Sequence, residues 1–99
     1  MRNLLIAGVA ALAAITFAPL AHADVGDFTN YMASHGYPNQ GQTQSGYTYL
    51  THGQQACAGL RNGQSEGQMI GQMRQQFGFS RAESDLIVTG AHQYLCPGA

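Results

Sequence analysis

"SRAESDLIVTGAHQYLCPGA" occupies residues 80–99, and it decides the fold class of this chain. Ser80 and Glu83 have the spacing of a capping box, a pattern that typically begins an α-helix. Apolar residues follow at helical spacing, namely Leu86, Ile87, Ala91 and Tyr94. Pro97 disfavours helical geometry at the residue before it, so the helix should open at Cys96. The stretch therefore predicts a capped helix that ends at a cysteine.

Three more helical segments precede this one, covering roughly residues 24–36, 47–61 and 65–77. The third should begin at a capping box formed by Ser65 and Gln68. The predicted inward stripes are Val25, Phe28, Tyr31 and Met32, then Leu50, Cys57 and Leu60, then Met69, Ile70, Met73 and Phe77. Residues 38–46 are polar and glycine-containing, which predicts a loop or a frayed start of the second helix. Since no stretch alternates like a strand, we expect an all-α domain, a small bundle of about four short helices.

The N-terminal residues 1–23 have the pattern of a cleaved export signal. Arg2 gives a positive start, "LLIAGVAALAAITF" follows as an uncharged apolar run, and "AHA" at 21–23 has the small–x–small spacing of a cleavage site. The run is shorter than the roughly 20 residues that span a bilayer. We therefore expect a single mature domain of residues 24–99, secreted to the cell envelope or the extracellular space, with no membrane span after cleavage.

The charge of the predicted mature chain excludes some classes of partner. It has three arginines, five carboxylates and no lysine, so its formal charge is −2. Nucleic acids and anionic membranes both require a positively charged surface, so neither is an expected partner.

Cys57 and Cys96 allow two interpretations, a disulfide or half of a Cys2His2 metal site with His52 and His92. On one helix, His52 and Cys57 point roughly 140° apart, so His52 should face solvent and a shared site would require a broken helix. A short exported chain with two cysteines favours a disulfide. Such a bridge would stabilise the fold by about 4 kcal/mol in the chain-entropy treatment.

No pattern in the sequence assembles a nucleophile, a base and an oxyanion donor, so we expect no enzyme and no cofactor. His35 is interpreted as a partly buried histidine near the C-terminal end of the first helix. The candidate interaction surface consists of Tyr37, Tyr47 and Tyr49, around the predicted loop. The leading hypothesis is an exported, non-enzymatic module that binds a protein or an envelope component. The alternative is a small-molecule or haem carrier that uses the apolar interior near Met69 and Met73.

Three stretches, "DFTNYMASHGY", "GQQACAGLRNGQS" and "FGFSRAESDLIVTGAHQYLCP", carry a resemblance to a known family. With them, the predicted mature domain resembles the small secreted mycobacterial family catalogued as domain of unknown function 732. The resemblance implies export, a helical fold and a pairing of Cys57 with Cys96. It implies no activity, partner or oligomeric state.

Overall fold

The computed structural model describes residues 24–38, 41 and 43–99, which form an all-α domain, as predicted. The predicted signal, residues 1–23, lies outside the described residues. The helices are α1 (Val25–Ser34), α2 (Tyr49–Arg61), α3 (Glu66–Phe77) and α4 (Arg81–Gly90), followed by a π-helical turn, π1 (Ala91–Leu95). None of the described helices is both long and apolar enough to cross a bilayer.

Polar side chains cap the beginning of each α-helix, and they explain where the helices start. The side-chain oxygens of the four N-cap residues accept a backbone N–H three residues later; the caps are Asp24, Thr48, Ser65 and Ser80. At α3 the capping box is complete, because Gln68 also accepts from the Ser65 backbone at 2.8 Å. At α4 only half of the predicted box forms. The Ser80 hydroxyl accepts from the Glu83 amide. The Glu83 carboxylate, which would accept from the Ser80 amide in a complete box, accepts from the Tyr49 hydroxyl of α2.

The chain leaves α4 through a widened turn that delivers Cys96 to α2. The Cys96 amide donates to the Ala91 carbonyl at 3.0 Å, and the backbone at Cys96 has left the helical conformation (φ −143°, ψ 64°). This confirms that the helix opens before Pro97. The sulfurs of Cys57 and Cys96 lie 2.13 Å apart, with their Cα atoms 5.9 Å apart. The predicted disulfide therefore joins the end of π1 to the middle of α2.

The core lies where α2, α4 and π1 meet, with α1 and α3 packed on either side. Its buried apolar residues are Phe28, Met32, Ala56, Cys57, Leu60, Met69, Met73, Phe79, Ile87, Val88, Ala91, Leu95 and Cys96. One member of the predicted stripe of α1 is wrong, because Val25 is 48% exposed. The buried part of that stripe begins only at Phe28, one turn further into the helix.

Both ends of the described domain are held by π1. The Asp24 amide donates to the Tyr94 carbonyl at 2.8 Å, while its side chain caps α1. Asp24, Tyr94, Pro97 and Gly98 line a common cleft. The start of α1 and the C-terminal residues are therefore neighbours.

Candidate functional site

The three tyrosines of the candidate interaction surface lie close to one another but differ in exposure. Tyr47 is 49% exposed, whereas Tyr37 and Tyr49 are half-buried against the core. The rings of Tyr37 and Tyr49 meet edge to face, with centroids 5.7 Å apart. The Tyr49 hydroxyl donates to Glu83, and burial, followed by this bond to the carboxylate, raises the pKa of Tyr49. Of the three, Tyr47 is the ring that most faces solvent.

A continuous series of ring contacts connects these tyrosines through the end of α3 and the segment after it. We call this series the aromatic row; it consists of Tyr37, Tyr49, Phe79, His52, Phe77 and Tyr47. The His52 ring is at its centre, with centroids 4.4 Å from Phe77 and 4.9 Å from Phe79. The row gives Tyr47 a packed aromatic support.

The expectation that His52 faces solvent is wrong: its side chain is fully buried. A solvent-facing His52 would require α2 to bury only one face, the face that carries Cys57. In the structure α2 is covered on two sides. Cys57 faces π1, whereas His52 is enclosed by Phe77 and by the turn that precedes α2.

Both ring nitrogens of His52 have side-chain hydrogen-bond partners. Its Nδ1 lies 3.0 Å from Gln55 Oε1 and its Nε2 lies 2.6 Å from Ser45 Oγ. Ser45 Oγ also lies 2.7 Å from Thr43 Oγ1, and the Thr43 hydroxyl donates its hydrogen to the Tyr47 carbonyl, so the Ser45 hydroxyl donates to Thr43. Nε2–H of His52 therefore donates to Ser45 Oγ, and a neutral ring accepts at Nδ1 from the side-chain amide of Gln55. Burial lowers the pKa of His52, although the bond to Gln55 opposes this shift. His52 is therefore a neutral imidazole inside an apolar enclosure.

Sequence reasoning did not find the contact between Ser45 and His52. The spacing of His52 and Gln55, three residues apart on one helix, was a usable signal for that pair. Ser45 lies in the loop, and its position depends on a turn that no helical pattern describes.

The turn Thr43–Tyr47 positions both Ser45 and Tyr47. The Thr43 amide donates to the Tyr47 carbonyl at 2.8 Å, and the Thr43 hydroxyl donates to the same carbonyl at 2.7 Å. The Gly46 amide donates to the Thr43 carbonyl at 3.0 Å. Gly46 has φ +89°, a backbone conformation that favours glycine. Gln44 joins the turn to the end of α3 through the Gly78 carbonyl at 3.3 Å. This part of the predicted loop is a hydrogen-bonded turn.

His92 forms a second polar cluster at the opposite end of α3 from His52. Its Nδ1 lies 2.6 Å from Glu66 Oε2, and its Nε2 lies 2.7 Å from the Ala99 carbonyl. Both ring nitrogens face acceptors, so only the protonated ring donates to both. The bond to Glu66, followed by the bond to Ala99, raises the pKa of His92. In its protonated form the ring holds the C-terminal residues against the start of α3.

The residues proposed for a metal site or a carrier pocket serve the fold: the cysteines form a disulfide and the methionines belong to the core. Cys57 and Cys96 are bonded to each other, and no cluster of three or more His, Cys, Asp or Glu among the described residues could hold a metal ion. Met69 and Met73 are buried members of the core.

His35 is exposed, so the expectation of partial burial is wrong. It follows the last residue of α1, and its Nδ1 binds the Tyr31 carbonyl at 2.8 Å. The same carbonyl also accepts from the Ser34 hydroxyl at 2.8 Å, so both contacts satisfy a carbonyl at the helix end without bringing the His35 ring into the core.

Comparison with known proteins identifies a family and adds no activity. No curated protein and no solved structure matches this chain. One family model, described as "Protein of unknown function (DUF732)", matches residues 23–98, which is nearly the whole described domain. The chain therefore belongs to the DUF732 family.

Proposed function

We propose that this protein is an exported, non-enzymatic module that binds another protein in the cell envelope or the extracellular space, with Tyr47 as the main contact. The observation that carries the proposal is the exposed Tyr47 ring, supported edge-on by Phe77 at 6.4 Å and by His52 at 5.8 Å.

Such a ring suits a binding contact because it is exposed yet already ordered. Tyrosine is enriched among the residues that dominate protein interfaces. The turn Thr43–Tyr47 holds its backbone and the aromatic row holds its side chain, so binding would lose little conformational entropy. Export is supported by the signal pattern of residues 1–23 and by the disulfide, which is typical of oxidising compartments.

The haem or small-molecule carrier receives less support. It requires Met69 and Met73 to line a cavity, and both side chains pack inside the core. Met69 is so close to α2 that a Cβ added at Gly59 would lie 2.2 Å from the Met69 sulfur.

The test compares Tyr47→Ala with Val25→Ala in affinity capture from an envelope extract. Val25 is a matched control, because it is 48% exposed against 49% for Tyr47 and lies outside the aromatic row. We expect a captured protein to be lost with Tyr47→Ala and retained with Val25→Ala. With the purified partner, the Kd should rise by about tenfold or more for Tyr47→Ala. Equal capture by both variants would contradict the proposal.

A further inference from the structure

A groove lies between α1 and π1 and shares no residue with the aromatic row. It consists of two adjoining clefts that have Asp27 and Tyr94 in common; one also includes Asp24, and the other includes Tyr31. We call the two clefts together the tyrosine groove, defined by these four residues. We propose that the tyrosine groove binds an arginine side chain of a partner protein, with the guanidinium between the Tyr94 ring and the Asp27 carboxylate.

Two packed rings form the aromatic part of the groove. The centroids of Tyr31 and Tyr94 lie 5.4 Å apart, with the ring planes tilted by 52°. Tyr31 is pressed against α4, because a Cβ added at Gly90 would lie 2.7 Å from its ring. Both rings are half-buried, so each is fixed by packing and keeps an exposed part. A planar cation can stack on such a ring through a cation–π contact without having to order it first.

The groove carries negative charge that no basic side chain neutralises. The Asp24 carboxylate caps α1, whereas the Asp27 carboxylate is exposed and has no hydrogen-bond or ion-pair partner in the described part of the chain. No arginine lines either cleft. Burial, followed by the charge of Asp85, raises the pKa of Tyr31, so a further carboxylate acts on the groove. Charge complementarity therefore favours a cationic group, and Asp27 is the acceptor available to it.

The shape of the groove favours arginine over lysine. Since Asp27 and Tyr94 line the same two clefts, one side chain can contact both. A guanidinium is planar, so it can stack on the Tyr94 ring while its N–H groups donate to the carboxylate, and it is less strongly hydrated than an ammonium. Arginine is also enriched in protein interfaces. The expected occupant is therefore an exposed arginine in a segment of a partner protein, and its binding is independent of Tyr47.

The experiment titrates the oxidised, isotope-labelled protein with the peptide acetyl-Gly-Gly-Arg-Gly-Gly-amide and follows the backbone amide signals by NMR, which detects weak binding. A control peptide contains citrulline, which keeps the shape of arginine and lacks its charge. We expect the shifts to centre on Asp27 and Tyr94, and the Kd for the citrulline peptide to be at least about fivefold higher. A lysine peptide should also bind more weakly, and about 0.3 M salt should weaken the arginine peptide.

Two variants with the same change in net charge separate the contact from the general field. Asp27→Asn should raise the Kd for the arginine peptide by about threefold or more, because it removes the acceptor. Asp85→Asn removes the same charge outside both clefts and keeps an oxygen for the Thr89 hydroxyl, which donates to Asp85 at 2.9 Å. It should change the Kd by less than about twofold.

Tyr94→Leu tests the aromatic contact. It removes the ring and keeps the backbone carbonyl that accepts from Asp24, and it should also weaken binding. Its melting temperature and circular dichroism show whether it folds; if it does not, Asp27→Asn and the citrulline peptide decide the question. Tyr47→Ala should bind the peptide as the parent does, which separates this site from the proposed binding role. Equal affinity for the arginine and citrulline peptides, shifts away from the groove, or a folded Asp27→Asn with the parent Kd would each overturn the proposal.

Discussion

Two histidines of this domain respond to pH in opposite directions, and their hydrogen-bond partners explain the difference. His52 has a hydroxyl and an amide as partners and is satisfied when neutral. His92 faces a carboxylate and a carbonyl and is satisfied only when protonated. A raised pKa stabilises the fold fully below the unfolded pKa of about 6.5, and this contribution is lost as the pH rises through the folded value. For His52 the pKa is lowered, so the stabilisation is present above about pH 6.5 and is lost as the pH falls.

His92→Gln should therefore cost more stability at pH 5.5 than at pH 8.5. The pair with Glu66 is partly exposed, so we expect a difference of about 0.5 kcal/mol between the two pH values. Urea denaturation of parent and variant at each pH measures it, and subtraction removes the contribution of His52.

Glu66→Gln is the control, and in the double variant the two losses should not add. An equal loss for His92→Gln at both pH values would show that the protonated contact does not stabilise the fold.

Among the helices, the sequence predicts a start accurately where it contains a capping pattern, as for α3 and α4. The start of α2 is predicted less accurately. Ser65 and Ser80 cap the helices that follow them, as their spacing predicts. α2 begins at Tyr49, about two residues after the predicted start, because residues 43–47 form the turn and Thr48 is the cap. The burial of His52 could not be predicted from α2 alone, since it depends on Phe77 at the end of another helix.

Two glycines inside helices test how closely the elements pack. A Cβ at Gly53 in α2 would lie 2.8 Å from the Phe28 ring and 2.9 Å from the Leu95 side chain, whereas a Cβ at Gly71 in α3 meets nothing within 4 Å. We expect Gly53→Ala to lower the free energy of unfolding by about 1–2 kcal/mol, since overpacking outweighs the gain in helix propensity. Gly71→Ala should raise it by about 0.5–1 kcal/mol.

Thermal and urea unfolding of the two variants provide the measurement. A Gly53→Ala protein as stable as Gly71→Ala would mean that α1 and π1 can move away from α2 at little cost.

At the scale of the whole molecule, the disulfide is the covalent link between the end of the chain and its centre. It spans 39 positions and joins π1 to α2, whose contact forms part of the core. Composition and cysteine count favour this bridge, and the opening of the helix before Pro97 indicates how Cys96 reaches Cys57. What the sequence could not supply was the second covered side of α2, which depends on the packing of all the elements.

Reduction of the disulfide, or Cys57→Ser combined with Cys96→Ser, should lower the melting temperature by at least about 15 °C. The reason is that losing about 4 kcal/mol removes a large part of the stability of a domain of this size. Circular dichroism during heating measures the change, and a chelator added to the oxidised protein is the control, with no expected effect. Unfolding by the chelator alone, or an unchanged melting temperature after reduction, would contradict the prediction.

The hydrogen bond from Asp24 to Tyr94 has a consequence for the connectivity of the chain. Since Asp24, Pro97 and Gly98 line one cleft, a short glycine-rich linker could join the two ends of the domain with little loop-closure entropy. The order of the helices would then be open to circular permutation, with new ends placed in the connection between α1 and α2. If the order of the helices is kept, a fusion partner attached before Asp24 or after Gly98 lies on the same side of the domain, beside π1 and the cleft.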